Sequence, residues 1–301
     1  MWWKRPGRDF AKVAHFEGVL GTALEFQASG ESEAIVDAAE RAALAEIDRL
    51  EPIFNRYRTD SELSRWEETG GDVSPEFAEV LASAEAWRVC TGGAFHPAVE
   101  ALTRLWKEGT PDPERLRRTV EALAQPLWTI EKGKVTRHTA LPANLNAIAK
   151  GYIIDRACEA AARIDGVDTV LVNIGGDMRH WGRKPLTVDI VDPFRPADNE
   201  TPIAGVRLSG VGMATSGAYH RGRHLFDPRT GQPIERIVSA SVIAPDALTA
   251  DVLATAFTVL LPCESLELAD ATPGVALFLV DADGRRFANS LWPRFSILPD
   301  A

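Results

Sequence analysis

The chain has 301 residues, of which 45% are hydrophobic and 25% charged, a balance typical of a soluble globular protein. This length accommodates one large domain or two of ordinary size. The formal net charge is −10 and the lysines and arginines form no dense block, so a nucleic-acid partner is disfavoured. No stretch approaches the ~18 consecutive apolar residues of a membrane-spanning helix, and no signal peptide is recognisable. We therefore expect a cytoplasmic protein or the mature form of an exported one.

The three cysteines, Cys90, Cys158 and Cys263, are far apart in the sequence and odd in number. They form neither the spacing of a zinc site nor a disulfide framework. We expect all three to be buried as small apolar side chains.

Hydrophobic periodicity and cap residues predict helices and strands in mixed order. Ser32 and Ser74 are predicted helix N-caps, and Pro75 takes the first position of the second helix. The predicted strands cover 14–28 as a pair interrupted at 18–21, then 128–131, 169–173, 186–191, 205–208 and 239–243, with a hairpin from 276. The predicted helices cover 32–49, 74–89, 146–164 and 247–261, and residues 108–118 are a polar, proline-punctuated stretch. Without regular strand–helix–strand units, this order predicts an α+β fold.

A first segment with possible chemistry is the apolar strand that runs into Gly175, Gly176 and Asp177. Two glycines let the backbone approach a ligand closely, and exposed N–H groups there suit a phosphate. A tight turn after a core strand explains the same residues. The G-x-G-x-x-G spacing of a dinucleotide fingerprint is missing.

A second segment combines the hydroxyl residues Thr215 and Ser216 with Gly217, and a polar loop containing His224 follows. An isolated histidine is more often structural than catalytic. Because His224 lies in a loop rich in arginine and just ahead of the Asp227-Pro228 turn, we favour a functional role.

A third segment places Asp251 and Thr255 four positions apart, on one face of a predicted helix whose other residues are small and apolar. A partly buried carboxylate needs a partner, and a hard cation with oxygen ligands is one solution. A helix cap or dipole partner is the alternative if the helix begins at Thr249. Near the start of another predicted helix, Lys150 opposes the helix dipole and is better placed to hold an anion.

Taken together and in this order, these segments resemble the ApbE family of FAD:protein FMN transferases. The matching motifs are Gly21-Thr22, Ser61-Glu62-Leu63-Ser64-Arg65, Thr91-Gly92-Gly93-Ala94-Phe95, Ile148-Ala149-Lys150-Gly151-Tyr152, Asn173-Ile174-Gly175-Gly176-Asp177, Thr215-Ser216-Gly217, His224-Leu225-Phe226-Asp227-Pro228 and Ala250-Asp251-Val252-Leu253-Ala254-Thr255-Ala256. Because many motifs occur in the family's order, the resemblance is specific.

The resemblance implies one α+β domain over 10–301, with mixed, largely antiparallel sheets flanked by helices and FAD bound as substrate. It implies a Mg²⁺ held by Asp251, Thr255 and a backbone carbonyl near Ala147, and His224 as the general base. The base would act on a threonine or serine hydroxyl of an acceptor protein, which takes FMN as AMP leaves. The implied FAD-contacting residues are Tyr57, Ser61, Phe95, Lys150, Gly175, Gly176, Asp177, Thr215, Ser216 and Gly217.

Three residues depart from the family pattern: Glu67 stands where asparagine is usual, His96 where aspartate is usual, and Asn146 where glycine is frequent. A glutamate near a flavin or phosphate is unfavourable unless it is protonated or turned away. Two other functions therefore stay open, a non-catalytic FAD-binding protein and an FAD pyrophosphatase in which water replaces the acceptor hydroxyl.

Overall fold

The computed structural model describes residues 10–131, 134–195, 201–217 and 225–297. It has the predicted α+β architecture, centred on an eight-stranded sheet in which every neighbouring pair is antiparallel. In spatial order its strands are β1 (Phe10–Val19), β2 (Thr22–Gly30), β5 (Val167–Ile174), β6 (Asp177–Gly182), β9 (Gly212–Gly217), β10 (Ile237–Ala244), β11 (Ala276–Asp281) and β12 (Arg286–Ala288). Two separate hairpins pair β3 (Trp128–Glu131) with β4 (Lys134–Arg137) and β7 (Leu186–Ile190) with β8 (Ala204–Leu208).

The described part of the chain also contains α-helices. They are α1 (Glu33–Phe54), α2 (Glu62–Thr69), α3 (Pro75–Cys90), α4 (Glu100–Lys107), α5 (Pro113–Leu123), α6 (Asn146–Ala162), α7 (Ala247–Val259) and α8 (Pro262–Ala271), with a 3₁₀ helix at Trp292–Arg294. None of them combines the length and apolar composition needed to cross a membrane.

Side-chain caps fix several helix starts, as the sequence predicts. The hydroxyl of Ser32 accepts the N–H of Ile35, and that of Ser74 accepts the N–H of Phe77. Each bond satisfies one of the backbone donors that a helix start leaves without an intrahelical partner. The two predicted caps are therefore confirmed.

Most of the buried side chains form one core between the sheet and the helices. Helix α6 contributes buried residues on most of its surface, because α1, α7 and the sheet surround it. A smaller core lies under the β7–β8 hairpin and includes Met178, Met213 and Trp292. The larger core thus lies between the sheet and the helices, and the smaller core lies between the sheet and the β7–β8 hairpin.

Several elements differ from the sequence-based expectations. Helices α2, α4, α5 and α8 and strands β4, β6 and β9 were not predicted, and α5 occupies part of the polar, proline-punctuated stretch. Helix α7 ends at Val259, short of the predicted 261, because Pro262 opens α8. The expectation for the cysteines is wrong in two cases: Cys158 is buried, but Cys90 and Cys263 are exposed.

Candidate functional site

The junction between α6 and α7 sets Asp251 against the helix that carries Ala147. In α6 the backbone at Ala147 is non-helical, with φ −85° and ψ 18°. The N–H of Gly151, which in a regular helix would bond to the carbonyl of Ala147, donates to Oδ2 of Asp251 at 3.3 Å. The two helices approach so closely that a Cβ on Gly151 would lie 2.5 Å from the carbonyl oxygen of Ala247. We call this region, with Thr255 included, the α6–α7 junction.

Asp251 is buried within α7 and does not cap it. The helix begins at Ala247, and its N-cap is Asp246, which accepts the N–H of Thr249 at 2.7 Å. Asp251, only 6% exposed, therefore lies in the second turn, and Thr255 lies one turn further along the same face. The capping alternative for Asp251 is wrong.

A second buried carboxylate, on Asp155 of α6, holds the start of α7. Its two oxygens accept the N–H groups of Ala247 and Leu248 at 2.8 and 2.9 Å. Burial raises the pKa of Asp155 to about 6, although both N–H bonds act in the opposite direction. Sequence reasoning missed this residue, and an acid four positions after Gly151 in a largely apolar helix was the available signal.

Lys150, on the same helix, lies against the β5–β6 turn. Its Nζ is 2.5 Å from Oδ2 of Asp177, a carboxylate that is almost fully buried. The anion that Lys150 contacts is therefore a side chain of the protein itself. This pair ties α6 to the turn that carries Gly175 and Gly176.

The two glycines of that turn do not offer the exposed N–H donors that were predicted. The N–H of Gly175 donates to the carbonyl of Ala23, and that of Gly176 to Oδ1 of Asn173, both at 3.0 Å. The turn instead allows close approach. Gly175 has φ 61° and packs on Thr22, whereas a Cβ on Gly176, at φ 94°, would meet nothing within 4 Å.

Thr215, Ser216 and Gly217 form the end of strand β9. Thr215 exchanges a hydrogen bond with Ser241 on β10, with 2.9 Å between the hydroxyl oxygens. Met213 pairs with Met178 of β6, so the antiparallel register sets Thr215 beside the β5–β6 turn. These three residues therefore border the same region as Lys150 and Asp177.

The remaining predicted FAD contacts lie in a region that we call the helical end, defined by Tyr57, Ser61 and Phe95. The Tyr57 ring is 83% exposed, with the guanidinium of Arg56 at 5.9 Å from its centroid. Ser61 is fully buried and caps α2 by accepting the N–H of Ser64 at 3.1 Å. Phe95 is also buried, at 2% exposure. Only Tyr57 of the three is open to a ligand.

The predicted base, His224, lies outside the described residues. The chain that follows it is held firmly against α4. The ring of Phe226 stacks on Trp106 with centroids 5.9 Å apart, and Nε1 of Trp106 donates to the carbonyl of Gly231 at 2.9 Å. The carboxylate of Asp227 accepts hydrogen bonds from two nitrogens of the Arg229 side chain, each at 2.9 Å.

His96, the second departure from the family pattern, has both ring nitrogens engaged within the protein. Nδ1 accepts the N–H of Ala98 at 3.1 Å, which leaves Nε2 as the donor to the carbonyl of Leu123 at 2.8 Å. Burial lowers the pKa of His96 to about 4, so the ring is neutral. It borders a cavity of about 400 Å³ that Gly93 and Arg229 also line.

Glu67 and Asn146, the other two departures, are also bonded within the protein. Oε1 of Glu67 accepts the N–H of Ala143 at 2.5 Å and lies 3.8 Å from a guanidinium nitrogen of Arg137. The backbone N–H of Asn146, at the start of α6, donates to the side chain of Asn144 at 3.1 Å. The Glu67 charge is thus turned toward a cation and a backbone amide.

The overall arrangement matches known structures and sequences. A family model described as the ApbE family matches residues 20–279. The chain is 32% identical over 257 residues to a FAD:protein FMN transferase of Haemophilus influenzae, covering 75% of this chain and 73% of the relative. A relative of the same name from Escherichia coli is 28% identical over 296 residues, covering 86% of this chain and 83% of the relative.

The chain belongs to the ApbE family.

Two crystal structures from this family share its fold. An ApbE protein of Thermotoga maritima superposes with a TM-score of 0.83 at 25% identity, covering 97% of this chain and all of the other. The apo form of the flavinyl transferase ApbE of Pseudomonas stutzeri gives a TM-score of 0.78 at 25% identity, with 95% and 96% covered. The fold predicted from the resemblance is confirmed.

The predicted donor set at the α6–α7 junction has one carboxylate and two neutral oxygen donors. Among the residues that the structure describes, no group of three or more histidine, cysteine, aspartate or glutamate side chains could hold a metal. As predicted ligands, Asp251 would supply one carboxylate, Thr255 a hydroxyl, and the non-helical Ala147 a carbonyl. Mg²⁺ typically binds one or two protein carboxylates together with water and substrate phosphates, so this ApbE chain fits that ion.

Proposed function

We propose that this chain transfers the FMN half of FAD to a threonine or serine hydroxyl of an acceptor protein, with Mg²⁺ bound and AMP released. The α6–α7 junction supports the proposal, because the buried carboxylate of Asp251 accepts an N–H from α6, the helix whose backbone is non-helical at Ala147. The transferase names of the Haemophilus influenzae and Escherichia coli relatives support the same reaction.

The metal would be held by the Asp251 carboxylate, the Thr255 hydroxyl and the Ala147 carbonyl. When bound, Mg²⁺ neutralises charge on the diphosphate that breaks and lowers the barrier to attack at phosphorus. Asp251 keeps its orientation because the N–H of Gly151 donates to it, and α7 keeps its position because Asp155 binds its N-terminus. Both supports are buried, where such hydrogen bonds contribute most to orientation.

FAD would lie between the β5–β6 turn and the helical end. The open side of Gly176 allows the diphosphate to approach the backbone, and Thr215 and Ser216 border that turn. The exposed ring of Tyr57 offers a face on which the isoalloxazine can stack. The Lys150–Asp177 pair fixes the turn against α6.

His224 would remove the proton from the acceptor hydroxyl. The hydroxyl oxygen then bonds to the phosphorus of the FMN half, the bond from that phosphorus to the bridging oxygen breaks, and AMP leaves with that oxygen. A positioned general base contributes ~10²–10⁴-fold to such a step. Trp106 contacts the chain that follows His224 in sequence, through Phe226 and Gly231.

The test is incubation of the full chain with FAD, Mg²⁺ and a cell lysate, followed by a denaturing gel and chromatography of the nucleotides. We expect a fluorescent flavin band that survives denaturation, AMP in solution, and the loss of both when a chelator removes Mg²⁺. AMP without a band would indicate an FAD pyrophosphatase. Intact FAD recovered from the protein, with no AMP, would indicate a flavin-binding protein, and either result overturns the proposal.

A further inference from the structure

The loop between β4 and α6 is attached to α2 through Glu67 and Arg137. Oε1 of Glu67 accepts the N–H of Ala143 at 2.5 Å. Arg137 donates to the backbone carbonyls of Glu67 at 2.6 Å and Leu141 at 2.7 Å, and its guanidinium lies 5.4 Å from the ring centroid of Trp66. One carboxylate and one guanidinium therefore bind both the helix and the end of the loop.

The same loop leads directly to the candidate metal site. Ala143 and Leu145 are buried, and the intervening Asn144 donates its N–H to the carbonyl of Pro97 at 2.6 Å. The carbonyl of Leu145 then accepts the N–H groups that start α6. Ala147 is four residues after the amide that Glu67 binds.

We propose that Glu67 and Arg137 form a strut that positions the Ala147 carbonyl for the metal, so that Glu67 is a positioning residue of this chain. The inference rests on the proposed function. A glutamate suits the strut because its carboxylate bonds to an N–H while it faces a guanidinium, and charge-assisted bonds of this kind are stronger than neutral ones. An asparagine is one methylene shorter and would not reach Ala143 from the same backbone position.

The chain supplies a matched control on the same helix. Oε1 of Glu62 accepts the N–H of Ser74, also at 2.5 Å, and so joins α2 to the start of α3. Glu62 thus makes the same kind of bond to a different loop. Loss of either glutamate should lower stability to a similar degree, but only loss of Glu67 should affect the metal.

The experiment measures Mn²⁺ binding by electron paramagnetic resonance in the full chain with FAD present, together with urea unfolding. Supporting groups around a metal ligand typically change affinity ~10–100-fold. We expect Glu67→Asn and Glu67→Ala to weaken Mn²⁺ binding by ~10-fold or more. Glu67→Gln, which keeps an oxygen at the same reach, should stay within about threefold of the wild type, and Glu62→Ala should not weaken Mn²⁺ binding.

The outcomes separate the strut from the proposed function. If the wild type binds Mn²⁺ through Asp251 but Glu67→Asn binds equally well, or if Glu62→Ala weakens binding as much as Glu67→Ala, the strut is wrong and the proposed metal site stands. If the wild type does not bind Mn²⁺, or Asp251→Ala binds it as tightly, the proposed metal site is wrong and the strut fails with it.

Discussion

At the α6–α7 junction the predicted residues are supported from neighbouring elements, whereas at the helical end they are bonded within their own segments. Asp251 accepts an N–H from α6, and Lys150 of α6 contacts Asp177 of β6. By contrast, Ser61 caps its own helix and Phe95 is packed in the core.

This difference separates two reasons for a residue to belong to a family motif. The predicted ligands at the junction occupy positions that several elements fix. Ser61 and Phe95 instead have structural roles that account for them without a ligand, and Tyr57 is the exposed member of that region. We therefore expect substitutions to affect chemistry at the junction and stability at the helical end, with Tyr57 as the exception.

The largest expected effect within the helical end is on folding. Phe95→Ala removes a buried ring and should lower the free energy of unfolding by ~3–5 kcal/mol. Tyr57→Ala, at an exposed position, should change it by less than ~0.5 kcal/mol but weaken FAD binding by ~3–10-fold through lost stacking. Urea unfolding and fluorescence titration with FAD measure the two quantities. A Phe95→Leu variant that folds as stably as the wild type but no longer binds FAD would make Phe95 a ligand contact.

His96 gives the helical end a pH dependence of stability. Its pKa is about 4 in the folded protein, below the ordinary 6.5, so the unfolded chain binds more protons between these values. The contribution of His96 to the free energy of unfolding is complete above pH 6.5. It is lost as the pH falls toward 4, by ~3 kcal/mol at most. Urea unfolding across this range should show a smaller loss of stability in His96→Gln.

The stabilities of the wild type and His96→Gln must be compared at each pH, because the raised pKa of Asp155 changes stability with pH in the opposite direction. Its pKa is raised to about 6 from 3.8, so its contribution falls as the pH rises between these values. Identical pH profiles for the wild type and His96→Gln would contradict the assignment of a buried, neutral His96.

Gly151 tests how closely the junction is packed. Gly151→Ala would place a Cβ 2.5 Å from the Ala247 carbonyl oxygen and should destabilise the fold by ~2 kcal/mol while weakening Mn²⁺ binding. Gly70→Ala is a control at a glycine with φ 65° and open space around it, where strain alone should cost about 1 kcal/mol. Calorimetric unfolding measures the stability of the two variants, and Mn²⁺ titration measures their metal affinity. Equal Mn²⁺ affinity in Gly151→Ala and the wild type would mean that helix spacing does not matter to the site.

Sequence patterns predicted the elements whose signals are local. The caps Ser32 and Ser74 and the strand that ends at Gly175 are examples, because cap chemistry and apolar runs act over a few residues. Strand β9 was missed because small and hydroxyl residues such as Thr215 and Ser216 resemble a turn when their sheet neighbours are unknown.

The support of the candidate site could not be predicted from sequence. The bonds from Gly151 to Asp251 and from Asp155 to the start of α7 join residues about a hundred positions apart, and no local pattern encodes such pairs. The four-residue spacing placed Asp251 and Thr255 on one helix face, but the contact of Asp251 with α6 depends on the tertiary fold.

The most direct test compares two Asp→Asn substitutions on α7 by the rate of Mg²⁺-dependent AMP release from FAD. Asp251→Asn keeps an oxygen for the Gly151 N–H but removes the charge, and should lower the rate by ~10³-fold, since a metal supplies several kcal/mol to such a step. Asp246→Asn removes the same charge five residues earlier but keeps an effective N-cap, so its rate should stay within about twofold. A normal rate in Asp251→Asn, or an equal loss in both variants, would contradict the assignment of the α6–α7 junction as the metal site.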